Sequence, residues 1–251
     1  MEVHHHPDLH HKKKNLKEYL LEGLMIFLAV TLGFFAETIR EKISENHREK
    51  GYIVGLINNI QTDTTNLRRI IGENDLELTG IDSVLRISKN HFTNISVQDS
   101  IFYYALNYTF ELHVFQFNDV TLVQLRNAGG YSLIRTNSVA DSIAMYESRN
   151  NDVKLQEGFY TDYYSQTTTT IKQIFDVTLF NQFDSTYNTT HKIPSDINVL
   201  ISRDTEKLNL LYNNYWIFGH ILNSYNTRLR KHLEYLANFM IYLRQSYDIT
   251  D

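Results

Sequence analysis

Residues 19–36, YLLEGLMIFLAVTLGFFA, form an eighteen-residue run with a single charge, Glu22. As an α-helix rising about 1.5 Å per residue it covers about 27 Å, close to the roughly 30 Å hydrocarbon core of a bilayer. Ten of its residues are Leu, Ile, Phe or Val, each favouring insertion by about 0.3–0.6 kcal/mol. Their sum, about 3–6 kcal/mol, exceeds the penalty for a glutamate near the boundary, whose head can reach the interface. No other stretch is equally apolar, which argues against a buried helix of a soluble domain. The tract Lys12, Lys13, Lys14 and Lys17 suits the start of a signal peptide, but no small-x-small cleavage site follows Gly33-Phe34-Phe35-Ala36-Glu37. The sequence therefore predicts an uncleaved transmembrane helix over residues 18–38.

Orientation is less constrained. Four lysines precede the span, and Arg40, Lys42, Arg48 and Lys50 follow it, so the positive-inside count is a tie. The front group is unopposed, whereas the rear group is interleaved with Glu37, Glu41, Glu45 and Glu49. The expectation is a short tail (1–17) inside, and a large domain (39–251) outside the cytoplasm. Within the span, Glu22, Ala29, Gly33 and Ala36 are spaced 7, 4 and 3, so they share one helix face. Ala29-x-x-x-Gly33 is a small-xxx-small pattern that admits close helix packing in membranes. Glu22 has three readings: a snorkelling boundary acid, a helix–helix contact, or a carboxylate that handles a proton or ion.

The apolar stepping continues past the membrane. Ile39, Ile43, Ile53, Ile57, Ile60, Leu67, Ile71, Leu78, Ile81 and Leu85 keep a 3/4 step, with Thr64 at one seam position. The chain has two prolines, Pro7 and Pro194, and proline inside a helix costs about 3 kcal/mol, so very long helices are permitted. One helix is expected from the tail to about Lys89, flexed near Gly51 and Gly55, then a loop over 89–94. Shorter helices are expected around 97–112 and 118–128, the second stopped by Gly129-Gly130. Asn137-Ser138 offers an N-cap for a helix to about Phe180, followed by a loop over 181–202 containing Pro194. Finally Leu208, Leu211, Tyr215, Phe218, Leu222, Tyr225, Leu229, His232, Leu236, Phe239 and Leu243 step by 3 or 4 throughout, which suits a coiled-coil-like bundle seam. The fold class is all-α: an N-terminal transmembrane helix continuing into an antiparallel helical bundle with long helices.

The chemistry is sparse. A net charge of −5 argues against a nucleic-acid binder. The absence of cysteine excludes disulfides, thiolate metal sites and thiol catalysis. No Walker loop, dinucleotide fingerprint, metalloprotease helix motif or nucleophile elbow occurs. His47, His91, His113, His191, His220 and His232 are scattered, and His232 reads as a hydrogen-bonded core histidine. The seventeen tyrosines include the clusters Tyr103-Tyr104-Tyr108 and Tyr160-Tyr163-Tyr164, which bundle packing accounts for more simply than a sugar or lipid pocket. Thr167–Thr170 reads as an exposed helix face. Five histidines in the tail, His4, His5, His6, His10 and His11, give a weak site for Zn or Ni. No cofactor is expected.

Two stretches carry a family resemblance. MEVHHHPDLHHKKKNLKEYLLEGLMIFLAVTLGFFAETIRE with YIVGLINNIQTDT, and FNDVTLVQLRNAGGYSLIRTNSVADSIAMY, resemble an uncharacterised Bacteroidota family of single-pass, membrane-anchored helical proteins. The resemblance covers about half of the chain. It implies a native His-rich tail, one membrane span and a helical domain, and it carries no activity with it.

These features lead to a structural or accessory subunit in the cell inner membrane, not an enzyme. Its periplasmic bundle would associate with further copies of itself or with other membrane proteins. The alternative is an extracytoplasmic ligand-sensing domain, which would have to signal through a partner because a tail of about 17 residues cannot hold a folded output domain.

Overall fold

The structure, a computed structural model, describes residues 15–127, 129–180 and 198–250. Among these the chain is all-α: α1 (Leu16–Arg86), α2 (Ile95–Thr109), α3 (Val120–Asn127), α4 (Asn137–Ile174) and α5 (Thr205–Ser246). Short 3-10 turns lie at Lys89–His91, Gly130–Leu133 and Val177–Leu179. No strand occurs among the described residues. The chain divides into two compact units, residues 1–51 and 52–251, and α1 contributes to both.

In the first unit, Leu20, Leu24, Ile26, Phe27, Leu32, Phe34 and Phe35 are all more than half exposed. The most apolar window of α1 has a mean hydropathy of 2.0 and none of it is buried. Among the described residues α1 alone is long and apolar enough to cross a membrane. An apolar surface of this extent needs a cover other than water. Its hydroxyls are already satisfied: Thr31 Oγ1 donates to the Phe27 carbonyl at 2.7 Å and Thr38 Oγ1 to that of Phe34 at 2.9 Å. Such back-bonding removes the polar groups that lipid would penalise. Ile39 and Ile43 keep the 3/4 step but remain exposed; burial along the stripe begins at Ile53.

The second unit is a bundle built on α1, α4 and α5. Helix α5 runs antiparallel to α4, as Ser138 meets Tyr242, Tyr146 meets Phe239, Tyr160 meets Tyr225 and Thr170 meets Asn214. It runs antiparallel to α1 as well, with Asn226 on the Ile71 carbonyl and Asp75, and Tyr212 on the Ile87 carbonyl. All eleven stepped residues of α5, from Leu208 to Leu243, are buried. The 3/4 repeat thus marks the core face without interruption, as the sequence predicts.

Helix ends follow local chemistry. Asn94 caps α2 by accepting from Ser96 N at 2.9 Å, and Asp204 caps α5 by accepting from Glu206 N at 2.8 Å. After α3, Gly129 takes φ 63°, the left-handed stop expected of the Gly pair. Three expectations need correction. The cap of α4 is Thr136, whose carbonyl accepts from Val139 N and Ala140 N, so Asn137 is already helical. Helix α4 ends at Ile174 rather than Phe180, because Phe175 turns extended and forms an isolated antiparallel bridge with Leu200. There its ring packs on Phe102 and Phe92, a tertiary contact that no local pattern encodes. Finally, Thr167, Thr168 and Thr170 are buried rather than exposed. Their hydroxyls bond the carbonyls of Tyr163, Tyr164 and Gln166, four residues back, so burial leaves nothing unsatisfied. The 181–202 loop, with Pro194, lies outside the described residues up to 197.

Close approach makes one glycine a packing requirement. A Cβ on Gly80 would lie 2.1 Å from Tyr108 Cβ, whereas one on the exposed Gly72 would meet nothing within 4 Å. Gly80→Ala should destabilise the bundle by about 1–3 kcal/mol through overpacking. Gly72→Ala should stabilise it by about 0.5–1 kcal/mol, as helix propensity dictates. Thermal unfolding followed by circular dichroism tests both, and equal effects of the two changes would refute the packing assignment.

Candidate functional site

The second unit contains a segment that is neither helix nor strand, residues 110–119 between α2 and α3. Its backbone N–H groups have no ladder to join, and a buried unpaired N–H is costly. Side chains from three helices replace the ladder. His113 N donates to Tyr160 Oη at 3.3 Å, Phe115 N to Tyr225 Oη at 3.1 Å, and Asn118 N to Asp63 Oδ1 at 3.0 Å. From the acceptor side, Tyr164 Oη donates to the Phe110 carbonyl at 2.8 Å. The tyrosines are in turn held. Tyr160 Oη donates to Glu77 Oε2 at 2.9 Å, and its ring stacks between Phe218 and Tyr225, with centroids 5.8 and 5.1 Å away.

Glu77 is the most unusual member, a carboxyl on α1 that is 1% exposed. Desolvation dominates the Tyr160 hydrogen bond and pushes its pKa up to about 8, so it is mostly protonated at neutral pH. Among the described residues its Oε1 has no partner, nor do Oδ1 and Nδ2 of Asn74, one turn earlier. Asp63 lies about three turns before Asn74, fully buried, with a pKa raised to about 6 by desolvation against the opposing Asn118 hydrogen bond. Tyr146 Oη neighbours Asp63 and Asn150 but, among the described residues, completes no hydrogen bond. On the surface, His113 Nδ1 is 3.2 Å from Glu73 Oε2, and Arg69 holds the same Glu73 at 2.8 Å.

A separate cavity of about 120 Å³ opens between α4 and α5, walled by Arg149, Asp152, Val153, Arg228, Lys231 and His232. His232 is buried, as its seam position requires, but differs from expectation in its bonding. Among the described residues its Nε2 has no hydrogen-bond partner, and the ring instead packs edge-on against Phe117 at 5.4 Å. Burial, reinforced by Arg149, lowers its pKa to about 4, so the imidazole is neutral. Two other cavities are more apolar. One lies between Leu78, Ile81, Leu85 and Trp216, the other between Met145, Tyr235, Phe239 and Tyr242.

Of the residues singled out in the sequence, Glu22, Ala29, Gly33 and Ala36 all lie on α1 in the first unit and are exposed, with open space around Gly33. The five tail histidines lie outside the described residues. Among the described residues no group of three or more His, Asp or Glu is placed to hold a metal ion. The Tyr103-Tyr104-Tyr108 cluster is packed on itself, with ring centroids 5.1–6.1 Å apart. The roles of Asp63, Asn74, Glu77, Tyr160 and Tyr225 escaped the sequence reading. A signal existed: Asp63 and Glu77 fall on the apolar stripe, three residues after Ile60 and four before Ile81. No protein-family model, curated protein or solved structure matches this chain.

The raised carboxyl pKa of Glu77 has a defined consequence for stability. Below about pH 4.5 the group is neutral in both folded and unfolded chains, so burial carries no ionisation penalty. Above that the unfolded chain ionises first, and stability falls until the folded group also ionises near pH 8. Asp63 adds a smaller fall between its ordinary range and about pH 6. Glu77→Gln keeps an acceptor for Tyr160 and removes the proton linkage. It should flatten the decline between pH 5 and 8 and raise stability at pH 8 by a few kcal/mol. Urea unfolding at several pH values measures this, and an unchanged slope in the variant would count against the assignment.

Proposed function

We propose that this chain is a membrane-anchored structural or accessory subunit: α1 crosses the cell inner membrane once, and the helical bundle, on the periplasmic side, mediates protein–protein association. The observation that carries the reading is the apolar window of α1, none of which is buried. Its exposed Leu, Ile and Phe residues suit a lipid surround rather than a core. The unopposed Lys12, Lys13, Lys14 and Lys17 support a cytoplasmic tail. The face shared by Glu22, Ala29, Gly33 and Ala36 supports association within the membrane, with another copy or with a different membrane protein. The resemblance to the Bacteroidota single-pass family points the same way. A second reading, sensing of a ligand with output through a partner, is favoured by the basic cavity between α4 and α5.

Two measurements test the first reading. In intact cells a Thr250→Cys variant should label with a membrane-impermeant thiol reagent once the outer membrane is breached; labelling that waits for the inner membrane to open reverses the orientation. Gly33→Leu adds bulk where close approach is proposed, so it should weaken self-association or partner retention in detergent. Glu22→Gln keeps shape and hydrogen bonding, and should leave association intact, since interhelical hydrogen bonds in membranes average only about 0.6 kcal/mol. Loss of a cellular phenotype with Glu22→Gln alone would assign the carboxylate a proton- or ion-handling task. Silence of both changes would leave α1 a plain anchor.

A further inference from the structure

We propose that the basic cavity between α4 and α5 is a binding site for a small oxyanion of the phosphate or sulfate class. Helix α4 supplies Arg149, Asp152 and Val153 at one level, and α5 supplies Arg228, Lys231 and His232 opposite. On each helix these positions are three or four apart and so face the same way. Three cations thus surround one acid, in a chain whose overall charge is −5. The local sign is inverted relative to the molecule, which is what a site for an anion requires and what a generic surface of this protein does not offer.

The cations are also uncommitted. Among the described residues no carboxylate pairs with Arg149, Arg228 or Lys231, although Arg40, Arg69, Arg86, Arg126 and Arg230 all have one. Arg149 is placed by stacking instead, its guanidinium 4.4 Å from the Tyr235 ring centroid, which leaves its N–H donors available. His232 forms the inner wall of the same cavity at 4% exposure, its Nε2 closed to solvent and, among the described residues, without a hydrogen-bond partner. Contacts to an anion therefore fall to the three cations around it.

Size narrows the ligand. The cavity measures about 120 Å³, well below the roughly 300 Å³ at which sites for drug-sized organic molecules begin. It suits a single tetrahedral oxyanion with a few waters, or the phosphate head of a larger molecule whose remainder stays outside. The proposal stands apart from the anchor reading: anion binding can fail with membrane insertion intact, and the reverse.

The test uses the full chain in non-ionic detergent, with calorimetric titration of inorganic phosphate and of sulfate against chloride at constant ionic strength. Saturable binding of one anion per chain is expected. Arg228→Gln and Lys231→Gln, both exposed and so tolerable to the fold, should each weaken it about tenfold or more. Lys172→Gln, a cation at the far end of α4, should leave it unchanged. Phosphate should also raise the melting temperature of the wild type more than chloride does, and should not do so for an Arg149→Gln/Arg228→Gln variant. Glycerol phosphate and a short-chain phosphatidylglycerol below its micelle concentration distinguish the source. Preference for the monoester identifies a soluble ligand, and equal or tighter binding of the diester identifies a lipid headgroup. Equal affinity in the wild type and the Arg228→Gln/Lys231→Gln double variant, or no saturable binding of either anion, overturns the proposal.

Discussion

An irregular stretch of backbone within a helical bundle has to find hydrogen bonds that regular structure would otherwise supply, and the second unit is organised around that need. Residues 110–119 contribute N–H groups at His113, Phe115 and Asn118, and the acceptors come from α4, α5 and α1: Tyr160, Tyr225 and Asp63. Because each long helix provides one acceptor, the segment ties the three together. The acceptors are aromatic or acidic rather than aliphatic because a side chain must span from a helix core position to a neighbouring backbone and end in oxygen. Tyrosine does this while keeping a large apolar ring in the core, which gives the chain's high tyrosine content a structural use.

This arrangement places acids where apolar residues would ordinarily stand. Glu77 is needed to orient the Tyr160 hydroxyl so that its oxygen lone pair faces His113 N, and Asp63 accepts from Asn118 N directly. Burial then makes the two carboxyls behave differently. Glu77, with one neutral partner, is held protonated at neutral pH, whereas Asp63 is moved less because a backbone donor stabilises its charge. The cost of desolvating a charge is avoided at Glu77 by not having the charge.

Much of the architecture was legible because helix periodicity and burial are coupled by geometry. The eleven stepped residues of α5 and the Ile53–Leu85 stripe of α1 identify core faces, since a helix between neighbours must bury one side. Failures occurred where an element's neighbours outside the helix decide. The sequence predicts that α4 runs to about Phe180, but the bridge of Phe175 to Leu200 and the rings of Phe92 and Phe102 stop it at Ile174. The threonines of α4 look solvent-facing by type, yet hydroxyls that bond their own helix can be buried freely. The candidate site was less visible still. Nothing in the local sequence sets Arg149, Arg228 and Lys231 apart; what distinguishes them is that, among the described residues, no carboxylate pairs with them in space.

Local sequence pattern decided the helical class, the approximate extents of α1 and α5 and a segment suited to lipid. These depend on local propensity, proline placement and a repeat that any reader of 3.6-residue spacing can project. Tertiary structure alone decided which polar residues of the stripe accept the 110–119 backbone, that His232 packs edge-on against Phe117, and that two arginines and a lysine from different helices wall one cavity. Those outcomes depend on the relative register of α4 and α5 and of α1 and α5. Side-chain packing at contacts such as Gly219 against Ile81 Cγ2 and Tyr146 against Phe239 accompanies that register. Packing is a property of pairs of faces, and a single helix pattern does not carry it.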